Sequence, residues 1–459
     1  MGDRMIAETE PSATHGAAAP ELAADIPSRP QPATIEETGL ELSMLADLML
    51  KTIHFAGRPN GKYLADQLAL SFPATEELLT FLRQGQAIEV VGTSGVGERG
   101  YQYALTDRGQ KKADEAMARS QYVGPAPIPM SLYVETLREQ SVSNIRIGRD
   151  AMKTNLSHLV LSDEVLAGLG PAVNSAKSLL IYGNSGNGKS SVTMAIGQML
   201  PGTVLIPYAV EVHGQIVKVF DPRIHREIAE DVIGQRRRNA ADTPFTGPER
   251  RRDRRWAVAA RPVISVGGEL TLQDMELRYS PLSRFYIAPL QWKANSGVLI
   301  IDDFGRQMIE PQALLNRWIV PMEQGIDHLS FHTGDMVEVP FDTLLIFSSN
   351  IPPGQLGDEA FFRRICHKVE MLDPTLDEYL EILRRVCAEH NMEYTEEGAD
   401  YLISKHYKET GRQFRACHPR DLIALVSDIA CYLEEEPALR REWLDMACGS
   451  YFVDVPEAP

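Results

Sequence analysis

One glycine-rich segment has the residue types and spacing that phosphate binding requires. It matches G-x-x-x-x-G-K-S from Gly183 to Ser190, follows a short apolar run and precedes a helical segment. Glycines let the backbone turn tightly and point its N–H groups at one anion. The segment therefore predicts a site for nucleotide phosphates, in which Lys189 contacts the β- and γ-phosphates and Ser190 is a Mg²⁺ ligand. Its predicted members are Gly183, Asn184, Ser185, Gly186, Asn187, Gly188, Lys189, Ser190 and Ser191.

A second segment supplies the carboxylates that such a site needs. Residues 297–301 are apolar and predict a buried strand, and Asp302 and Asp303 follow it directly. Open α/β sheets bind their ligands at the carboxyl ends of the strands. We therefore predict that Asp302 lies on the metal side, and that Asp303 acts as a base or orients the attacking water. The structural alternative is a pair of capping carboxylates at the strand end.

These two motifs and four further features resemble those of the AAA+ ATPases. Residues 341–350 resemble the sensor-1 strand, with Asn350 at its polar end. Residues 359–365 resemble the segment that carries the arginine finger. Residues 418–422 resemble the sensor-2 start of a lid helix, and the chain from about 374 to 451 has a helical pattern throughout.

The resemblance spans roughly residues 130–455 and implies both a fold and a reaction. The implied fold is α/β, with a P-loop NTPase core over residues 136–373 and an all-helical lid over residues 374–459. The implied reaction is hydrolysis of ATP to ADP and phosphate, with Mg²⁺ as the metal and ATP bound between core and lid.

The resemblance also implies roles for four polar residues. Asn350 would hold the attacking water, and Arg420 would reach the γ-phosphate from the lid. Arg364, or else its neighbour Arg363, would act on the ATP of an adjacent subunit. A finger supplied in this way implies a homo-oligomeric ring, for which the family favours a hexamer. The structural alternatives are a turn residue at Asn350, an ion pair between Arg420 and Asp421, and a solvated face for the other two arginines.

Within the AAA+ proteins, the resemblance is to the MoxR-like branch, which implies a remodelling, chaperone-like ATPase. It is carried by residues 269–279 and 284–290, and by residues 331–340, which resemble the hairpin before sensor 1. Two features depart from the pattern. Asp303 stands where many AAA+ proteins have glutamate, which leaves the speed of turnover open, and the insertion at residues 203–262 is long for this branch.

The insertion contains a predicted hairpin and a basic stretch. Residues 203–212 and 215–220 flank a His213-Gly214 turn, which indicates a β-hairpin. Residues 236–255 contain eight arginines and three acidic residues. This stretch is either a solvated loop, a contact to an acidic protein surface, or a contact to nucleic acid. We expect Trp256, which follows it, to fill a core or an interface.

The N-terminal third is predicted to contain an acidic, disordered tail at residues 1–38, a winged-helix-like α+β module at residues 39–122 and a proline-rich linker at residues 123–135. The module contains three helical segments, two strand-like runs and a closing helix. It carries nine Lys and Arg against ten Asp and Glu, whereas DNA affinity comes largely from phosphate neutralisation. We therefore favour a protein partner for the module. The alternative is a DNA-associated ATPase or transcription regulator that uses the module and the arginine-rich insertion.

Composition sets limits on the whole chain. Its 459 residues suggest about three domain-sized parts at about 150 residues each, and its formal net charge of −17 argues against a general nucleic-acid coat. We expect no membrane span and no secretion signal. The five cysteines form no C-x-x-C pair, so we expect reduced, mostly buried thiols, no zinc site and a cytoplasmic location.

Overall fold

The computed structural model describes residues 27–95, 97–229, 252–356 and 362–452. Its fully described helices are α1 Leu42–Ala56, α2 Gly61–Gln67, α3 Phe72–Gln84, α4 Asp107–Arg119, α5 Met130–Glu139, α6 Arg149–Asn155, α7 Asp163–Ser175, α8 Lys189–Met199, α9 Leu290–Lys293, α10 Pro311–Gln324, α11 Pro353–Leu356, α12 Leu376–Glu389, α13 Glu396–Ile403, α14 Cys417–Tyr432 and α15 Arg441–Tyr451. Its strands are β1 Ile88–Thr93, β2 Tyr101–Leu105, β3 Ile128–Pro129, β4 Leu179–Gly183, β5 Thr203–Pro207, β6 Ala209–Val212, β7 Gln215–Lys218, β8 Trp256–Ala260, β9 Val263–Val266, β10 Arg278–Ser280, β11 Phe285–Ile287, β12 Gly297–Ile301, β13 Ile326–Ser330, β14 Met336–Pro340, β15 Thr343–Ser349 and β16 His367–Met371.

A five-stranded parallel sheet lies at the centre of the molecule, with the strand order β16-β4-β15-β12-β9. Strands β12 and β15 are buried along their whole length, as expected for strands covered on both faces. Because the strands are parallel, the residues that follow β4, β12 and β15 emerge at the same edge of the sheet. The predicted α/β class is confirmed, and this sheet with a glycine loop after β4 supports a P-loop NTPase-like fold.

The insertion forms two separate strand pairs. Strands β6 and β7 form an antiparallel hairpin around His213 and Gly214, which have φ angles of 50° and 77°. The predicted hairpin is therefore present, but it is shorter than expected. Residues 203–207 instead pair as β5 with β8, and Trp256 at the start of β8 is only 1 % exposed. The arginine-rich stretch lies mostly at residues 230–251, outside the described residues.

A second hairpin precedes the strand that ends at Asn350. Strands β13 and β14 pair antiparallel from Ile326 to Pro340, so the hairpin includes residues N-terminal to the predicted range 331–340. Residues 278–287, which carry part of the resemblance to the MoxR-like branch, form β10 and β11. These two strands join β7, β6 and β3 in a second five-stranded sheet.

The N-terminal module has the predicted order of elements. Helices α1 to α3, the antiparallel pair β1 and β2, and helix α4 share one apolar core. Its designation as winged-helix-like stays a prediction. The tail prediction is corrected for residues 27–38, because Ile35 and Thr38 are buried and the Ile35 N–H donates to Glu77 Oε2 of α3 at 3.2 Å. Residues 1–26 lie outside the described residues.

Two arginines expected in a solvated, protein-binding or nucleic-acid-binding loop instead bond to the N-terminal part of the chain. Arg254 donates to Asp66 Oδ1 at 2.6 Å and to the Leu70 carbonyl at 2.8 Å, both in the module. Arg255 is fully buried, pairs with Asp253 at 2.9 Å and donates to the Thr38 carbonyl at 3.1 Å. A buried ion pair of this kind requires both partners, so these residues have a structural role.

Arg255→Met is expected to reduce the free energy of unfolding by about 3–5 kcal/mol, because it leaves the Asp253 carboxylate buried without its counter-charge. The measurement is chemical denaturation followed by circular dichroism. Arg58→Met is the control, since Arg58 is an exposed arginine on the N-terminal module, and it is expected to change stability by about 0.5 kcal/mol or less. Equal effects of the two substitutions would contradict a structural role for Arg255.

The C-terminal part is helical, as predicted, and helices α12 to α15 enclose an apolar core of their own. Its cysteines correct one expectation. All five thiols are free, but only Cys387 and Cys448 are buried, whereas Cys366 and Cys431 are exposed and Cys417 is half-buried. Among the helices of the described ranges, none combines the length and the apolar composition that a membrane span demands.

Candidate nucleotide-binding site

A cavity of about 450 Å³ opens at the carboxyl edge of the central sheet, and most of the predicted site residues line it. It is bounded by the loop after β4, the ends of β12 and β15, and helices α12 and α14. The predicted residues that line it are Ser185, Gly186, Asn187, Gly188, Lys189, Ser190, Ser191, Asp302, Asp303, Asn350 and Arg420. Gly183 and Asn184 line a neighbouring pocket that also contacts Asn350.

The loop conformation explains why two of its positions are glycine. Gly183 and Gly186 have φ angles of 144° and 84°, in the region that side chains rarely adopt. A Cβ atom on Gly183 would lie 2.2 Å from the Met371 carbonyl oxygen, and one on Gly186 would lie 2.5 Å from Cys417 Sγ. The loop is therefore packed between β16 and α14 at a distance that only glycine allows.

Helix α8 begins at Lys189, directly after the loop. Its N-cap is Gly188, and in the described residues no side chain accepts a hydrogen bond from its first turn. The first N–H groups of a helix have no partner within the helix, and they carry the positive end of its dipole. Since Gly188, Lys189 and Ser190 line the cavity, this end of α8 is suited to hold an anion there.

The Lys189 ammonium lies inside the loop and is only slightly exposed. Nζ donates to the carbonyl of Gly183 at 2.9 Å and to that of Asn184 at 2.7 Å. Burial lowers the pKa of Lys189, although the charges of Asp303 and Asp302 act in the opposite direction. The side chain is thus held by loop carbonyls close to both carboxylates, and it faces the cavity.

Asp303 and Asn350 are in direct contact across neighbouring strands. Asn350 Nδ2 donates to Asp303 Oδ1 at 2.6 Å, and the Asp303 N–H donates to Asp302 Oδ1 at 3.0 Å. Asp303 has a φ angle of 49°, a left-handed conformation that aspartate tolerates better than most residues. This turn at the end of β12 brings the carboxylate of Asp303 to the end of β15.

The side chains of Ser190 and Asp302 both line the cavity and offer a hydroxyl and a carboxylate oxygen. Mg²⁺ prefers oxygen ligands, and typically takes one or two carboxylates together with phosphates and waters. The donor set therefore fits this metal.

Arg420 lines the cavity and also makes the ion pair of its structural alternative, and its contact with the γ-phosphate stays a prediction. It lines the cavity from α14, and its Nε donates to Asp421 Oδ1 at 3.0 Å. Its side chain is 70 % exposed, whereas the side chain of Asp421 is 29 % exposed and also accepts a hydrogen bond from Tyr451. The guanidinium is therefore oriented by a carboxylate on its own helix, at the rim of the cavity.

Arg363 and Arg364 lie away from the cavity of their own chain. Arg364 Nε donates to Glu323 Oε1 of α10 at 3.1 Å, and Arg363 is exposed. Neither lines this cavity. Residues 359–361 of the predicted finger segment lie outside the described residues.

Several cavity residues escaped the prediction from sequence. Arg306 lines the cavity four residues after Asp302, and Asp373 bonds the loop two residues after β16. The signal that identified Asp302, a polar residue directly after a buried apolar strand, does not apply to Asp373, because β16 alternates exposed and buried residues and ends two positions earlier. An apolar wall opposite the loop follows no short sequence pattern. It consists of Leu159, Val160, Leu161, Ile382 and Val386.

Comparison with known proteins gives one family match. Residues 375–450 match the model of a domain of unknown function, DUF8689, and this range covers most of the helical C-terminal part. Comparison with curated proteins gives no match.

Solved structures show only distant similarity. NtrX from Brucella abortus in complex with ATP is 12 % identical, with a TM-score of 0.36 over 74 % of this chain and 62 % of that one. The chain thus spans less than two thirds of this NtrX structure. A RuvB mutant from Thermotoga maritima is 13 % identical, with a TM-score of 0.33 over 68 % of this chain and 72 % of that one.

Proposed function

We propose that this chain is an AAA+ ATPase that binds ATP with Mg²⁺ and hydrolyses it to ADP and phosphate. One observation carries the proposal: the glycine loop, the Asp302-Asp303 pair and Asn350 line a single cavity at the carboxyl edge of a parallel sheet. The loop and the carboxylates are separated in sequence by over a hundred residues, so their convergence is a property of the fold. The apolar wall opposite the loop offers a surface for the flat face of a nucleobase.

Some residues of the cavity are proposed to bind the nucleotide and the metal, and others to take part in the reaction. The loop N–H groups and the start of α8 bind the phosphates, and Lys189 adds a positive charge. Ser190 and Asp302 would hold Mg²⁺, which neutralises charge on the phosphates when it is bound. Asp303 accepts a hydrogen bond from Asn350 and is proposed to orient the attacking water and take its proton. Arg420 is proposed to contact the γ-phosphate from α14, whose first residue, Cys417, bonds to the Gly186 carbonyl of the loop.

We propose further that hydrolysis is completed by an arginine of a second copy of the chain. Arg364 is the preferred finger and Arg363 is the alternative. Both lie outside the cavity of their own chain, as expected for a group that acts on a neighbouring subunit. A finger supplied by a neighbour makes hydrolysis depend on assembly into a ring or partial ring, and we propose a hexameric ring. The Glu323 contact would hold Arg364 in place until assembly.

A mixing experiment tests the shared site. Arg364→Ala is expected to lower phosphate release by about 10³-fold or more while ATP still binds, because a finger supplied in trans contributes at least this much in related chemistry. Mixed in equal amounts with Lys189→Ala, it is expected to recover activity at about one quarter of the interfaces, where an intact loop meets an intact finger. Arg363→Ala tests the alternative finger and is expected to keep the wild-type rate if Arg364 is the finger. If mixing restores nothing, the finger is not Arg364 acting in trans.

The mechanical part of the proposal is a remodelling ATPase of the MoxR-like kind. In it, hydrolysis moves the helical lid, and the module at residues 39–122 contacts a protein partner. The charge of α3 supports this choice over DNA. This helix, which would be the groove-binding helix of a winged-helix protein, carries Glu76 and Glu77 against one cation, Arg83, and both Glu77 and Arg83 are exposed.

The DNA-associated alternative is weakened by the positions of Arg254 and Arg255, which bond within the chain. Fluorescence anisotropy with duplex DNA at two salt concentrations separates the two functions. We expect no binding at physiological salt. Binding that falls steeply with salt, and that is lost when Arg236, Arg237 and Arg238 are replaced by glutamine, would instead favour the alternative.

A further inference from the structure

The carboxylate of Asp373 connects three parts of the molecule. It follows β16, and its Oδ1 accepts hydrogen bonds from Asn184 Nδ2 at 3.0 Å and Asn187 Nδ2 at 2.7 Å in the glycine loop. The same oxygen pairs with Arg415, just before α14. Burial alone would raise the pKa of Asp373, but the two amides and the Arg415 guanidinium outweigh it and lower the pKa. The Asp373 carboxylate is therefore ionised, and it bonds to the glycine loop and to the residue before α14 from its position after β16.

Two further bonds attach the start of α14 to the same loop. The Cys417 N–H donates to the Gly186 carbonyl at 2.8 Å, and the Ala416 N–H donates to Asn187 Oδ1 at 3.4 Å. Three consecutive residues before and at the start of α14 thus contact the loop or the carboxylate that holds it. Arg420 lies one turn further along the same helix.

The side chains of Asn184 and Asn187 occupy variable positions of the glycine motif. Phosphate binding by such a loop uses its backbone N–H groups, so these side chains are available for other contacts. In this chain both amides point away to Asp373, and Asn187 is only 4 % exposed. A change in loop conformation that moves either amide would therefore alter its bond to Asp373, which also pairs with Arg415.

We propose that Asp373 is a positioning residue, which holds the phosphate-binding loop in shape and transmits its occupancy to α14 through Arg415. The inference rests on the proposed nucleotide binding. It goes beyond that binding because it names Asp373 and Arg415 as the residues that couple the loop to the helical domain. Asp373 does not touch the reacting atoms in this account.

Hydrogen exchange on the full chain, with and without a slowly hydrolysed ATP analogue, tests the proposal. In the wild type, saturating analogue is expected to slow exchange at residues 415–422. In Asp373→Asn the affinity is expected to fall about tenfold, as for the loss of one charge-assisted hydrogen bond. Saturating analogue is expected to slow exchange at residues 415–422 clearly less than in the wild type, because only the direct Cys417–Gly186 and Ala416–Asn187 bonds then connect the loop to α14. Asp377→Asn, an exposed carboxylate on the first turn of α12, is expected to behave as the wild type.

Arg415→Gln provides a second, independent variant. It is expected to reproduce the loss of protection, and the double variant is expected to add little to either single change, because the two groups act as one unit. Full nucleotide-dependent protection in Asp373→Asn and in Arg415→Gln would overturn the proposal. If the wild type binds no analogue, the proposed function itself is contradicted. Failure of the Asp373 proposal and failure of the proposed function therefore give different results.

Discussion

Asp303→Asn is expected to reduce phosphate release by about 10²–10⁴-fold, the usual contribution of a general acid or base, while ATP binding persists. An asparagine oxygen can still accept the Asn350 hydrogen bond, so the geometry at the ends of β12 and β15 is expected to survive. What is lost is the negative charge and the capacity to take a proton from water. Single-turnover phosphate release, measured at saturating ATP, isolates this effect from binding.

The control for this substitution is Asp335→Asn, which removes an exposed carboxylate from the turn between β13 and β14. It is expected to leave the rate unchanged. Should Asp303→Asn turn over as fast as the wild type, Asp303 is not the group that activates water. The capping alternative for the Asp302-Asp303 pair would then stand.

Lys189→Ala is expected to lower phosphate release by about 10²–10³-fold, the cost of removing one positioned electrostatic group from a site where charge develops. The substitution also takes away the donor to the Gly183 and Asn184 carbonyls, so the loop loses two internal contacts. Initial rates of phosphate release at saturating Mg²⁺ and ATP give the size of the effect. Circular dichroism establishes that the fold is retained.

Lys177→Ala serves as the matched control, because this exposed lysine lies two residues before β4, the strand that leads into the loop. Its rate is expected to equal that of the wild type. A comparable loss in both variants would show that the effect is one of general charge or folding, and not of the loop.

The parts of the fold that follow local rules could be predicted from the sequence. Glycine spacing places the phosphate loop, and a buried apolar run places Asp302 and Asp303 at the end of a strand. The His213-Gly214 turn was predictable because two-residue loops that contain glycine are typical of β-hairpins. Both residues have the positive φ angles that such a turn requires. These signals all lie within about ten residues of the element that they specify.

Features that depend on distant partners could not be predicted. Arg255 looks like one more cation in a basic run, yet its partners include the Thr38 carbonyl, 217 residues away. The packing of residues 27–38 depends in the same way on α3. The Asp373 and Arg415 pair is separated by 42 residues, and neither residue belongs to a recognisable motif. Composition indicates whether a segment is polar, acidic or basic, but it does not show which buried contact fixes the position of that segment.

The claim on which all of this depends is that the glycine loop binds a nucleotide triphosphate, and calorimetric titration of ATP into the full-length protein tests it most directly. In the presence of Mg²⁺ we predict one binding site per chain, with an affinity at least about tenfold higher than that of Lys189→Ala, equivalent to about 1.4 kcal/mol. An unchanged affinity in Lys189→Ala, or no binding to the wild type, would contradict the account.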